Sequence, residues 1–254
     1  MIDLTGRVAL VTGSSRGIGR ACALRLAEAG ADTVVNYVTS RSAAEEVADQ
    51  IQSLGRRTAV VKADVSEQED VVSVIDFVRE SFGALDILVS NAATGGFRPL
   101  LATTAQHFEA AMNTNVRALM FLVQAAMPLL KRSEGRAKVI GLSSLGSHMA
   151  LPMYGLIGST KAALESIIRH FALEIGDHGI NLNVIQAGLV ETDSFHQMPN
   201  REQLLAHRRA KSMVGDRPLT VRDIADAVLY LASPLSDMVQ GQTLVLDGGA
   251  SIHV

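Results

Sequence analysis

Apolar residues along this chain follow two alternating rhythms. Short apolar or β-branched runs at residues 8–12, 33–37, 58–62, 85–90, 138–142, 181–186 and 244–246 predict seven β-strands. The run at 85–90 is nearly continuous, as expected of a parallel strand covered on both faces. Between the runs, apolar positions recur at helical spacing. Ile18, Cys22 and Leu26 form one stripe, stopped by Ala29-Gly30, and Val47, Ile51 and Leu54 form a second, ending at Gly55. Val71, Val74, Ile75, Val78 and Phe82 form a third, closed by Gly83. A longer one runs through Phe108, Met112, Val116, Leu119 and Val123 toward Pro128. Further helices are predicted over 153–176 and 224–231. No internal repeat or low-complexity linker interrupts the alternation. The expected fold is therefore α/β: one domain over 1–254, built on a doubly wound, seven-stranded parallel sheet with helices on both faces.

One stretch breaks the rhythm. Residues 188–215, after the sixth strand, are irregular and rich in charge. Ligands in open α/β sheets sit at the carboxyl ends of the strands, so this segment is expected to be a substrate lid.

Composition narrows the partners. The 23 basic and 26 acidic side chains leave a net charge of −3, and no basic stretch interleaves with aromatics, which argues against nucleic acid. No apolar run approaches membrane-spanning length, and the first strand follows Met1 so closely that a cleavable signal has no room. A soluble cytoplasmic protein is expected. The single cysteine, Cys22, lies on the apolar stripe of the first helix and reads as a packed core residue.

Chemistry enters at the first strand–helix junction, where Gly13-Ser14-Ser15-Arg16-Gly17-Ile18-Gly19 links the two. Glycines permit a tight turn and close backbone approach, while a helix N-terminus offers unpaired N–H groups to a pyrophosphate. Such loops also merely join strands to helices, but the strand–turn–helix context favours a dinucleotide.

The most specific feature is Tyr154 and Lys161, seven residues apart. On a helix this spacing returns to nearly the same azimuth, about 10 Å along the axis. A pair four apart shares a face with only about 6 Å of rise. The longer spacing moves a phenolic acid away from a cofactor held by the lysine. That difference can select which substrate oxygen receives a proton.

These residues together resemble the short-chain dehydrogenase/reductase family, a Rossmann-type family, over essentially the whole chain. Thr12 to Gly19 matches its cofactor loop, with Gly13, Ser15, Arg16, Gly17, Ile18 and Gly19 as cofactor contacts. Asp64-Val65 matches the pair at the adenine, and Asn91-Ala92-Ala93 the segment after the fourth strand, with Ala93 replacing glycine. Asn115 sits where the family keeps a helix-kinking asparagine, and Ser143-Ser144 where it places its catalytic serine. Gly188, Leu189, Val190 and Thr192 match the segment that clasps the nicotinamide, although Ala187 replaces a proline. The usual tyrosine, four before the lysine, is Ile157. The Y-x6-K spacing, with Asn91 to Pro99 and Pro199 to Glu202, resembles instead the branch of NADPH-dependent enoyl-[acyl-carrier-protein] reductases of the third type.

The resemblance implies Tyr154, Lys161 and Ser144 as catalytic residues, Lys161 also holding the nicotinamide ribose, and a homotetramer. The expected substrate is an enoyl thioester carried on acyl carrier protein or coenzyme A. The second strand ends Asn36-Tyr37-Val38 without the acid usual for NAD, while Arg16 and Arg41 could meet a 2′-phosphate, so NADPH is the expected cofactor. Two other readings stand: a carbonyl reductase using Tyr154 from a distorted helix start, and a dinucleotide-binding protein that lost catalysis at position 157. No histidines have metal-ligand spacing.

Overall fold

The computed structural model describes residues 2–196, 198 and 200–252. The strands are β1 (Val8–Val11), β2 (Asp32–Tyr37), β3 (Thr58–Lys62), β4 (Ile87–Ser90), β5 (Ala137–Ser144), β6 (Ile180–Ala187) and β7 (Thr243–Leu246). All pair in parallel in one sheet, in the order β3-β2-β1-β4-β5-β6-β7. The seven expected strands are all present. Winding reverses between β1 and β4, where crevices open at the strand ends.

Period-two alternation sorts β1 between two cores. Ala9 and Val11 pack with Cys22, Leu26, Val47, Ile51, Ile224 and Val228, on helices α1 (Gly17–Glu28), α2 (Arg41–Ser53) and, late in the chain, the helix Val221–Ala232. Val8 and Leu10 point the other way, to Val71, Val74, Leu119, Leu122, Leu164 and Ile168. Those residues belong to α3 (Gln68–Phe82) and to two long helices, Ala118–Leu130 and Gly155–Ile175. Cys22 is fully buried, as expected.

The helical region predicted through Phe108 to Pro128 is divided. It comprises α4 (Ala105–Met112), a π-helical turn (Asn113–Arg117) and α5 (Ala118–Leu130). Asn115 sits in the π turn, the kind of local irregularity that marks functional sites.

Two expectations need correction. The helix predicted from 153 is α6 (Gly155–Ile175), and Tyr154 is its N-cap. Met153 has φ +62°, outside the helical region, so the helix cannot extend back through it and Tyr154 is not carried on a helical turn. The segment 188–215 is not irregular throughout: it holds α7 (Asp193–His196) and α8 (Arg201–Lys211), followed by α9 (Val221–Ala232). No residue of α8 is buried, so it has no apolar stripe to betray it. Pro199 and His253 lie outside the described residues. Among the described residues no helix is long and apolar enough to cross a membrane, and no group of three His, Cys, Asp or Glu side chains could hold a metal.

Candidate active site

A cavity of about 850 Å³ opens at the carboxyl ends of the strands, where the topology places it. One half of it begins at the glycine loop. Gly13 and Gly17 adopt φ +62° and +56°, which side chains disfavour. A Cβ on Gly19 would strike the Gly13 carbonyl and the Asn91 amide, so the helix start can lie against the loop only as glycine. Arg16, the N-cap of α1, makes no side-chain cap, and the first turn carries no acid. The Gly17–Gly19 turn thus presents its backbone to the cavity, an arrangement that fits a pyrophosphate.

Interlocked hydrogen bonds hold this half together. Asn91 Nδ2 donates to the carbonyls of Thr12 at 2.9 Å and Gly13 at 3.1 Å, while Thr12 Oγ1 accepts from the amides of Asn91 and Ala92, both at 3.0 Å. Asn36 Oδ1 accepts from Gly13 N at 3.0 Å, and its Nδ2 donates to Ala63 O at 3.0 Å. Asn36 is therefore a buried strut under the loop and does not line the cavity. Arg41 is also outside the lining: its guanidinium is exposed and pairs with Glu45 at 2.8 Å. Arg16 lines the mouth, 3.8 Å from Asp193 of α7. Asp64, Val65, Asn91, Ala92 and Ala93 line the cavity together with Gly13, Ser15, Gly17, Ile18 and Gly19.

The other half is built on side chains. Ser144, at the end of β5, and Tyr154 share a hydrogen bond of 2.9 Å, and Gly146 N donates to Ser144 Oγ at 3.2 Å. The Tyr154 ring rests on Gly146, where any Cβ would collide with it. Phe97 lies 6.0 Å away, ring centre to ring centre. Burial pushes the Tyr154 hydroxyl above its ordinary range, with the Ser144 bond pulling the other way, so the phenol keeps its proton at neutral pH. Ile157, at the alternative tyrosine position, is buried under Gly95 and does not line the cavity. A Cβ on Gly95 would lie 2.6 Å from Ile157 Cγ1.

Lys161 is buried, its Nζ donating to Leu142 O at 2.8 Å. Burial pushes this ammonium down to about 8, and the charge of Glu165 pulls it back up. Asn115 lies behind the wall, with no hydrogen left to offer from its amide. It accepts from Thr94 N at 2.8 Å and donates to Thr94 O and Thr160 Oγ1, both at 2.9 Å. Gly188, Leu189, Val190 and Thr192 enter the lining after β6.

The fold thus gathers Tyr154, Ser144, Lys161 and most of the expected cofactor contacts around the cavity, while Asn36, Arg41 and Asn115 do not line it. Sequence reading missed Phe97, Leu151, Phe195, Leu204 and Arg208, which also line it. Leu204 and Arg208 are four apart on α8, the one periodic signal available there.

The sequence profile of the family described as "Enoyl-(Acyl carrier protein) reductase" matches residues 13–251. The chain is 36% identical to 1-cyclohexenylcarbonyl-CoA reductase of Streptomyces collinus, over 97% of this chain and 87% of that protein. It is 37% identical to a hydroxynaphthalene reductase-like protein of Metarhizium robertsii, over 98% of this chain and 96% of that one. Its fold superposes with a TM-score of 0.86 on a short chain dehydrogenase of Burkholderia cenocepacia J2315 in complex with NADP, at 33% identity, covering 97% of this chain and 98% of that one. This chain is an oxidoreductase of the short-chain dehydrogenase/reductase family.

Proposed function

We propose that this protein is an NADPH-dependent reductase of the carbon–carbon double bond of a 2-enoyl thioester. The observation that carries the reading is the pairing of Tyr154 with Ser144 in the cavity wall, while Ile157 is turned away under Gly95. Among the described residues, the hydroxyl that the start of α6 brings to the cavity is thus three residues further from Lys161 than the usual one.

NADPH, when bound, supplies the hydride that reduces the β-carbon. The backbone of Gly13, Ser15, Arg16, Gly17, Ile18 and Gly19 would hold its pyrophosphate, and Asp64 and Val65 would flank its adenine. Asn91, Ala92 and Ala93 would lie beneath it. Gly188, Leu189, Val190 and Thr192 would meet the nicotinamide amide, and Lys161 the adjoining ribose. Asn36 contributes by fixing Gly13. Arg16 and Arg41, both on exposed pairs that break cheaply, would turn to a 2′-phosphate.

Tyr154 donates its hydrogen bond to the thioester oxygen, where negative charge collects as the β-carbon is reduced, and a proton from solvent then completes the reduction at the α-carbon. Ser144 holds that hydroxyl in place, and the positive charge of Lys161 favours the developing anion. Phe97, Leu151, Phe195, Met198 and Leu204 supply an apolar wall for the acyl group. The Streptomyces collinus relative supports a cyclic acyl group on coenzyme A; acyl carrier protein is the other carrier the family profile suggests. Exposed Leu100, Leu101 and Phe108, with Leu244 and Val245 on the edge strand β7, support self-association, for which we propose a homotetramer.

The hydroxynaphthalene reductase-like relative favours a second reading, reduction of a carbonyl by the same Ser144–Tyr154 pair. Offering crotonyl-, cyclohexenylcarbonyl- and acetoacetyl-CoA side by side, with NADPH oxidation followed, separates the two. Turnover of the enoyl thioesters alone is expected; turnover of acetoacetyl-CoA alone would replace the first reading by the second.

A further inference from the structure

Glu165 lies one turn beyond Lys161 on the same face of α6, above the ends of β5 and β6. A lysine and a glutamate four apart on a surface helix usually do no more than pair weakly. Here the lysine is committed elsewhere, donating to Leu142 O at 2.8 Å. The next residue of β5, Ser143, donates its hydroxyl to Glu165 Oε1. Gln186, the register partner of Ser143 on β6, donates to the same oxygen at 3.0 Å. The Gln186 amide nitrogen also lies 2.7 Å from Ser147 Oγ and 3.0 Å from His148 Nδ1. One carboxylate oxygen therefore gathers the catalytic helix and two strand ends. Ser143 precedes Ser144, the partner of Tyr154, and Gln186 lies two residues before Gly188. Ser143 and Gln186 are buried, and Glu165 is half-buried above them.

We propose that Glu165 is a positioning residue for the Lys161–Ser144–Tyr154 group, its carboxyl locking the ends of β5 and β6 against α6 one turn from Lys161 on the same helix face. This rests on Lys161 acting as the charged group of the reaction. Burial drives Lys161 toward neutrality, and Glu165 is the charge that opposes it. The other titratable groups around Lys161 cannot take that part. Tyr154, at the N-cap of α6, keeps its proton at neutral pH, and His148, in the turn after β5, carries no negative charge. Glu109 of α4 lines the cavity but is not among the charges that shift Lys161. Arg117 of the π turn is directed to Ser66 O. The ends of β5 and β6 bring Leu142, Ser143, Ser144, Gln186 and Ala187 to this point, all uncharged.

Trace acetylation with acetic anhydride over the neutral to alkaline range, read by peptide mass spectrometry, follows the titration of Lys161 without requiring turnover. In the unsubstituted protein its midpoint is expected at about 8. Glu165→Gln and Glu165→Met, both neutral, should lower it by about one pH unit. The alkaline fall of kcat/KM should move down with it, and Glu165→Asp should restore both. A merely structural role would weaken folding yet leave the titration in place. A midpoint unmoved in whichever neutral variant folds, by thermal denaturation, overturns the proposal. Should no enoyl thioester turn over, the enoyl reading falls, while the titration still decides the part played by Glu165.

Discussion

The two halves of the cavity are built in different ways. The half at the glycine loop is a backbone surface whose polar side chains point inward as struts: Thr12, Asn36 and Asn91 spend their hydrogen bonds on the loop and on the backbone beside it. The substrate half is a side-chain surface. Its key hydroxyls meet each other, and its outer wall includes α8, which has no buried residue. A diphosphate is common to every nicotinamide cofactor, and backbone N–H groups recognise it without regard to the rest of the ligand. Substrates differ, and a wall of adaptable side chains can change without disturbing the fold.

Substitutions can break this division. Tyr154→Phe should lower kcat/KM for the enoyl thioester by about a thousandfold, the loss of a donor aimed at developing charge. The NADPH Kd by fluorescence titration should stay put, and undiminished turnover would remove Tyr154 from the mechanism. Gly19→Ala should do the reverse. Its methyl would meet the Asn91 amide at 2.5 Å, costing about 2 kcal/mol in thermal denaturation and weakening NADPH at least about tenfold.

Lys161 sharpens the comparison through pH. Its folded value of about 8 lies below its ordinary 10.5, so the unfolded chain binds more protons between them. Stability should therefore rise with pH across that window, and at neutral pH the burial penalty is present in full. Lys161→Met should lose turnover yet gain about 2 kcal/mol at neutral pH, a gain that shrinks as pH rises through the window. A gain independent of pH would contradict the titration. The smallest effect belongs to Arg16→Ala. The Arg16–Asp193 pair is mostly exposed, so stability should hardly change, while NADPH should weaken by about three- to tenfold and NADH not at all.

Much of this was legible in the chain. The seven strands declare themselves because parallel strands covered on both faces must be apolar, and glycines mark the turns between them. The loop from Gly13 to Gly19 is readable for the same reason: only glycine permits its turns. α8 was not legible, because a helix with no fully buried residue leaves only a faint stripe. Nor was the role of Asn36, whose amide could equally have faced a ribose.

The sequence by itself determined the sheet, the family, the phosphate loop and the Tyr154–Lys161 spacing, since each rests on local periodicity or local backbone freedom. Only the tertiary structure decided how that spacing is used. Met153 ends the helix early, Gly146 seats the Tyr154 ring beside Ser144, and Gly95 covers Ile157. It also decided that Glu165 faces Ser143 and Gln186 rather than solvent. A polar side chain has several possible partners, and which of them it meets depends on segments distant in the chain being brought within about 3 Å, a condition that no local pattern records.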